Sequence, residues 1–198
     1  MENGILLVNL GSPDSYKVKD VKRYLGEFLM DERVIDYPQW LRTFLIKGII
    51  LNTRPKKSAE AYKSIWWDEG SPLMVLSKRV QKEVAKYTQW PVELGMRYGN
   101  PSIHHAINKL KEQNPDLKRV SLIPLYPHYA MSSYETVVVK AREVMEEFFP
   151  ELEMRVQKPF FDREDYLHIL ADSLRETLAQ EYDHVLFSYH GVPEQQIR

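Results

Sequence analysis

The chain has 198 residues, with 27 Lys and Arg against 28 Asp and Glu and a formal net charge of -1. That length suffices for one well-buried domain or for most of a two-lobed enzyme, and the balanced charge lacks the basic excess that binding to nucleic-acid phosphates requires. No cysteine is present, which excludes disulfides, thiol nucleophiles and thiolate-held zinc or iron–sulfur sites in this stretch and fits a reducing compartment.

The amino terminus carries no basic stretch, and its apolar run stops at Val8, so no signal peptide is expected. No apolar stretch approaches the length of a membrane span. A cytoplasmic protein is expected, with contact at a membrane surface left open.

The first strand is predicted over Ile5 to Leu10, apolar on both faces as a buried parallel strand should be. It breaks at Gly11-Ser12-Pro13-Asp14, and a helix is predicted over Val18 to Leu29. Trp40, Leu41, Phe44, Leu45, Ile49 and Ile50 then recur at helical spacing until Arg54-Pro55. The apolar face of the segment from Phe28 to Leu51 reads three ways: as the lip of a cleft, as a membrane-surface contact, or as packing on the sheet. Further helices are predicted over Ala59 to Ile65 and, after the turn Glu69-Gly70-Ser71-Pro72, over Leu73 to Tyr87. Strands follow at Val92 to Tyr98, Val120 to Leu125, Glu153 to Val156 and Val185 to Tyr189. Helices fill the intervals at Ser102 to Gln113, Ser133 to Phe149 and Glu164 to Glu181. The alternation predicts an open, mostly parallel, doubly wound α/β sheet with helices on both faces and a helical lip insertion at about 38–88.

Such sheets bind ligands beyond the carboxyl ends of their strands, and the informative clusters fall there. They are Asn9 to Asp14, Arg97 to Pro101, Pro124 to Ser133, and Ser188 to Pro193. Together they predict a cleft with an aromatic lining, one cation and one histidine, His190, set between an apolar strand and Gly191. Gly11-Ser12-Pro13 lacks the glycine spacing and lysine of a phosphate loop. The adjacent His104 and His105 point to different faces of their helix, cannot chelate one ion, and are expected to be solvated.

The run Leu186-Phe187-Ser188-Tyr189-His190-Gly191-Val192-Pro193 resembles the histidine signature of the ferrochelatase family. Leu6 to Pro13, Arg54-Pro55 with Tyr62, Gly70-Ser71-Pro72-Leu73, Gly95-Met96-Arg97-Tyr98 and Tyr126-Pro127-His128-Tyr129 resemble other segments of that family, in the same order. The resemblance implies the family's α/β fold and a lyase forming nitrogen–metal bonds, which inserts ferrous iron into protoporphyrin IX to give protoheme in heme biosynthesis. Iron and porphyrin would be substrates, with no prosthetic group in this segment. His190 would bind the iron, accept the pyrrole protons, or do both. Arg54, Tyr62 and Ser71 would lie near the porphyrin's propionates or the lip. Arg97, Tyr98 and Tyr129 would line the cleft, and Leu10 would face the ring opposite the histidine. The resemblance further implies that residues 1–198 are the amino-terminal lobe of a two-lobed chelatase. The lobe that supplies a facing glutamate is not present, so the piece alone is expected to be inactive. A coproporphyrin III or cobalt chelatase of the same superfamily, or a non-catalytic tetrapyrrole- or metal-binding module, stands as the alternative.

The chemistry suits these residues. A porphyrin is a flat apolar disc with carboxylates along one edge, so it calls for apolar and aromatic walls and a few orienting polar groups. Arginine forks match carboxylates, and neutral imidazole is both a ligand for Fe²⁺ and a base near neutral pH.

Overall fold

The computed structural model describes residues 2–180 and 182–197. Strand β1 (Asn3–Asn9) has five consecutive buried residues, because it lies at the centre of the sheet with a layer on each face. The chain then forms α1 (Val18–Met30), α2 (Gln39–Thr43), a π-helical stretch Phe44–Ile50, α3 (Leu51–Thr53), α4 (Pro55–Ile65) and α5 (Pro72–Val84) before returning as β2 (Val92–Met96). Pro55 and Pro72 sit at the starts of α4 and α5, where a missing N–H costs no hydrogen bond. The widened turns of the π stretch free backbone carbonyls, and side chains answer them. The Asn52 amide donates to the carbonyls of Lys47 and Gly48, and Thr53 Oγ1 to that of Ile49.

After β2 come α6 (Ile103–Gln113), β3 (Arg119–Pro124), a π turn Met131–Glu135, α7 (Thr136–Phe148), β4 (Glu153–Val156) and α8 (Glu164–Leu178). The sheet is all parallel, in the order β2-β1-β3-β4. Leu6, Val8, Val120 and Leu122 face the apolar sides of α6 and α7, where Ile107, Leu110, Val137 and Ala141 complete the main core. The opposite face carries Ile5, Leu7, Leu94 and Met96 against Leu73, Met74 and Val84 of α5. Helices therefore cover both faces, as expected. Connections leave β1 and β3 on opposite faces, so the crevice between their carboxyl ends is the switch point where such sheets take ligands.

The predicted elements up to residue 178 are present with shifts of a few residues at their ends. Glu181, the predicted end of the last helix, lies outside the described residues. The fifth strand, predicted over Val185 to Tyr189, is not formed. The segment 184–193 is irregular and exposed, with Leu186 at 94 %. A parallel strand of that apolar character needs cover on both faces. No such cover packs on it among the described residues.

Candidate functional site

The turn after β1 is built by close backbone approach. Asn9 turns its own side chain back, Oδ1 accepting from the Leu10 N–H at 2.8 Å while Nδ2 donates to Ser77 Oγ on α5 at 3.0 Å. The β1–β2 ladder runs on past both strands, with Arg97 N–H donating to the Asn9 carbonyl and Tyr98 N–H to that of Leu10, each at 2.9 Å. Gly11 then passes over the Tyr98 carbonyl with φ of +105°. The Gly-Ser-Pro run is thus a tight crossing of two strand ends.

Beneath it lies a buried polar centre. Arg97 donates through Nη2 to Asp31, and through Nε to Thr136 Oγ1 at 2.6 Å and the Thr136 carbonyl at 3.1 Å. Its guanidinium carbon stands 4.3 Å from the centre of the Tyr98 ring. Tyr98 OH and Thr136 Oγ1 also donate to Asp31 Oδ2, at 2.8 and 2.5 Å, and the Arg33 N–H donates to Oδ1 at 2.8 Å. Burial alone would raise the Asp31 pKa. The donors from Thr136 and Arg33, the Arg97 charge and the Tyr98 hydroxyl outweigh it and hold the carboxyl below its ordinary value. Asp31 and Thr136 are absent from every sequence motif. The available clue is that Asp31 caps the carboxyl end of α1, where the helix dipole disfavours an acid.

From this centre an aromatic chain runs outward. Phe28 meets Tyr98 edge-on at 5.3 Å; Tyr24 meets Tyr98 at 6.4 Å and Tyr62 at 6.3 Å; Tyr62 meets Trp66 at 6.4 Å, and Trp66 meets Tyr16 at 5.8 Å. Tyr24, Phe28 and Trp66 are further members that no motif singled out, and burial raises the pKa of the Tyr24 hydroxyl. Tyr126 has a buried hydroxyl without a partner among the described residues. Burial first, then its neighbours Tyr24 and Tyr98, keep that hydroxyl protonated.

Beside the chain opens a pocket of about 560 Å³ that includes Ser12, Trp66, Ser71, Lys78, Asn100 and His105. The amino termini of α5 and α6, at Ser71 and Ser102, both reach it. The Ser71 side chain makes no capping bond, and the buried Ser12 hydroxyl has no partner among the described residues. Its acids are countered elsewhere, Asp14 by Arg23 and Asn100 and Glu69 by Arg79. Two helix amino termini, two serine hydroxyls, Lys78 and His105 make this pocket, which lies on the β2 side of the β1–β3 switch point, hospitable to an anion such as a carboxylate.

The structure brings Leu10, Arg97, Tyr98, Tyr62 and Ser71 together around the carboxyl ends of β1 and β2. Tyr98 is only 1 % exposed, so it forms the floor under the crevice and is not on its surface. Arg54 is exposed at the start of α4. Tyr129 stands on the loop after β3 and donates to Glu135, a bond that, with burial, pushes its pKa up to about 12. His190 is exposed on the irregular segment and is not joined to the other three clusters by a strand. That segment touches the crevice region further on, where Ser132 Oγ donates to Gln196 at 2.6 Å. His105 is exposed as expected, but His104 is half buried with its ring 4.7 Å from that of Phe148, because α7 packs across that face of α6. Among the described residues no three His, Asp or Glu side chains gather at one point.

A family model described as ferrochelatase matches residues 2–198. The chain is 52 % identical over 198 residues to a ferrochelatase of Azotobacter vinelandii, covering 100 % of this chain and 58 % of that relative. It is 49 % identical over 197 residues to ferrochelatases of Pseudomonas fluorescens biotype C and Pseudomonas syringae pv. tomato, covering 99 % of this chain and 57 % of each relative. The chain thus spans less than two thirds of the length of these relatives.

Proposed function

We propose a function from one premise: this chain belongs to the ferrochelatase family. The proposed reaction is insertion of ferrous iron into protoporphyrin IX, forming protoheme in heme biosynthesis, with the 198 residues as the amino-terminal α/β lobe and 38–88 as its helical insertion. The observation that carries the reading is one juxtaposition. A row of aromatic rings rises from the buried Tyr98 and Tyr24 to the accessible Tyr62, Trp66 and Tyr16, and ends beside an anion-favouring pocket between two helix amino termini. A flat apolar ring with carboxylates along one edge fits that pairing of surfaces.

In this reading Ser71, Tyr62 and Arg54 face the carboxylate edge, Leu10 and Tyr129 border the ring, and Arg97 with Tyr98 hold the floor. His190 meets the iron or takes protons from the pyrrole nitrogens, two of which must be lost for each metal gained. A single imidazole holds Fe²⁺ loosely, and a metal that must pass to the ring needs a weak site where a closed four-ligand one would retain it. The assay is absorbance of the ring during anaerobic incubation with Fe²⁺, using the protein at the length of its relatives. Conversion of protoporphyrin IX to protoheme is expected. Preference for Co²⁺ or for coproporphyrin III would move the assignment to the corresponding chelatase, and porphyrin binding without metallation would make this a non-catalytic module.

We also propose that this is a cytoplasmic protein whose lip rests on a membrane surface. Trp40 and Phe44 are 72 % and 63 % exposed, and no Asp or Glu occurs from Pro38 to Ala59, whereas the exposed Lys47, Arg54, Lys56 and Lys57 and the buried Arg42 do. No helix among the described residues is long and apolar enough to cross a membrane, so the contact is interfacial. Flotation with anionic vesicles should carry the protein upward, and the Trp40→Ser/Phe44→Ser variant should stay behind. Equal flotation of both would refute the contact.

A further inference from the structure

Asp31 gathers the ends of three elements on one carboxylate. It sits at the end of α1, receives Arg97 and Tyr98 from the end of β2, and receives Thr136 from the first position of α7. Its side chain is 3 % exposed and that of Arg97 16 %. With Nη2 on Asp31, Nε on Thr136 and the guanidinium laid on the Tyr98 ring, Arg97 is constrained in position, plane and direction. Only Nη1 has no hydrogen-bond partner among the described residues. A guanidinium held in this way offers a directed donor with its charge already countered, which orients a ligand more than it attracts one.

We propose that Asp31 is a positioning residue for metallation: by clamping Arg97 it fixes the cation that, above the Tyr98 floor, orients the porphyrin. The inference rests on the ferrochelatase reading and adds to it a residue that touches neither ring nor metal. In Asp31→Asn one carboxylate oxygen becomes an amide nitrogen. Oδ2 accepts three donors and Oδ1 one, so either orientation of the amide opposes a donor to a donor and releases part of the cluster.

The test is a double-mutant cycle on the protein at the length of its relatives, reading steady-state metallation of protoporphyrin IX. Asp31→Asn should lower kcat by at least about tenfold while KM for porphyrin moves less than about threefold, since orientation and not binding is lost. In an Arg97→Met background, Asp31→Asn should change kcat by less than about twofold, because the residue it acts through is gone. Multiplying effects, or a KM rise that matches the fall in kcat, would overturn the proposal. If Asp31→Asn does not fold, the pair Asp31→Asn/Arg97→Met, which removes both charges, replaces it. A folded pair with the activity of Arg97→Met alone supports the assignment. A pair that also fails to fold makes Asp31 a folding residue and overturns it. A wild-type protein that metallates nothing defeats the functional reading first, so the two failures are distinguishable.

Discussion

Gly11→Ala is expected to destabilise the fold by about 3–5 kcal/mol, the sum of a strained backbone conformation and a steric conflict that the core cannot relax. A Cβ at this position would stand 1.9 Å from the Tyr98 carbonyl oxygen and 3.3 Å from Met96 Cβ, at a φ of +105°. Neither backbone can yield cheaply, because Tyr98 N–H is bonded to the Leu10 carbonyl and Arg97 N–H to that of Asn9. Moving Tyr98 would also disturb its hydroxyl bond to Asp31, so the damage should reach the polar centre. Gly70 is the control. It has a φ of +126° with nothing within 4 Å of its would-be Cβ, and Gly70→Ala should cost only about 1–2 kcal/mol. Urea denaturation of both variants gives the comparison. Equal losses, or a Gly11→Ala protein within about 1 kcal/mol of wild type, would show that the strand-end crossing is softer than its geometry implies.

His190→Ala, made in the protein at the length of its relatives, should lower kcat/KM for metallation by about 10²–10⁴-fold, the range expected when a metal-handling or proton-accepting imidazole is lost. Its stability should hardly change. His190 stands next to Gly191 on a segment without regular structure, and a loop position of this kind tolerates truncation far better than a packed core site does. Porphyrin binding, followed by fluorescence quenching, should survive because the aromatic row and the serine-lined pocket are untouched. Near wild-type turnover would remove His190 from the mechanism. A large drop in melting temperature would make it a structural residue instead.

Periodicity placed β1, β4, α1 and α6 within a few residues because their apolar faces are set by local spacing, and a buried parallel strand such as Ile5 to Val8 needs no partner to be recognised. The motif run Gly95 to Tyr98 likewise marked a strand end beside the crevice. Its physical meaning was hidden, since Tyr98 looks like a lining residue in one dimension and is the buried floor in three. The fifth strand failed for the opposite reason. Val185 to Tyr189 has a strand's composition, but a strand exists only through pairing and cover, and those are not properties of the segment itself.

By itself, then, the sequence determined the α/β alternation, the clusters at the strand ends and the family resemblance, since each is carried by residues close together in the chain. What only the tertiary structure decided are contacts between distant residues. Asp31 meets Arg97 across 66 positions and Thr136 across 105, and Asn9 meets Ser77 across 68. No local periodicity encodes such pairs. They arise because parallel crossovers bring the end of α1, the end of β2 and the start of α7 to one edge of the sheet, where a desolvated carboxylate is stable only if every donor arrives.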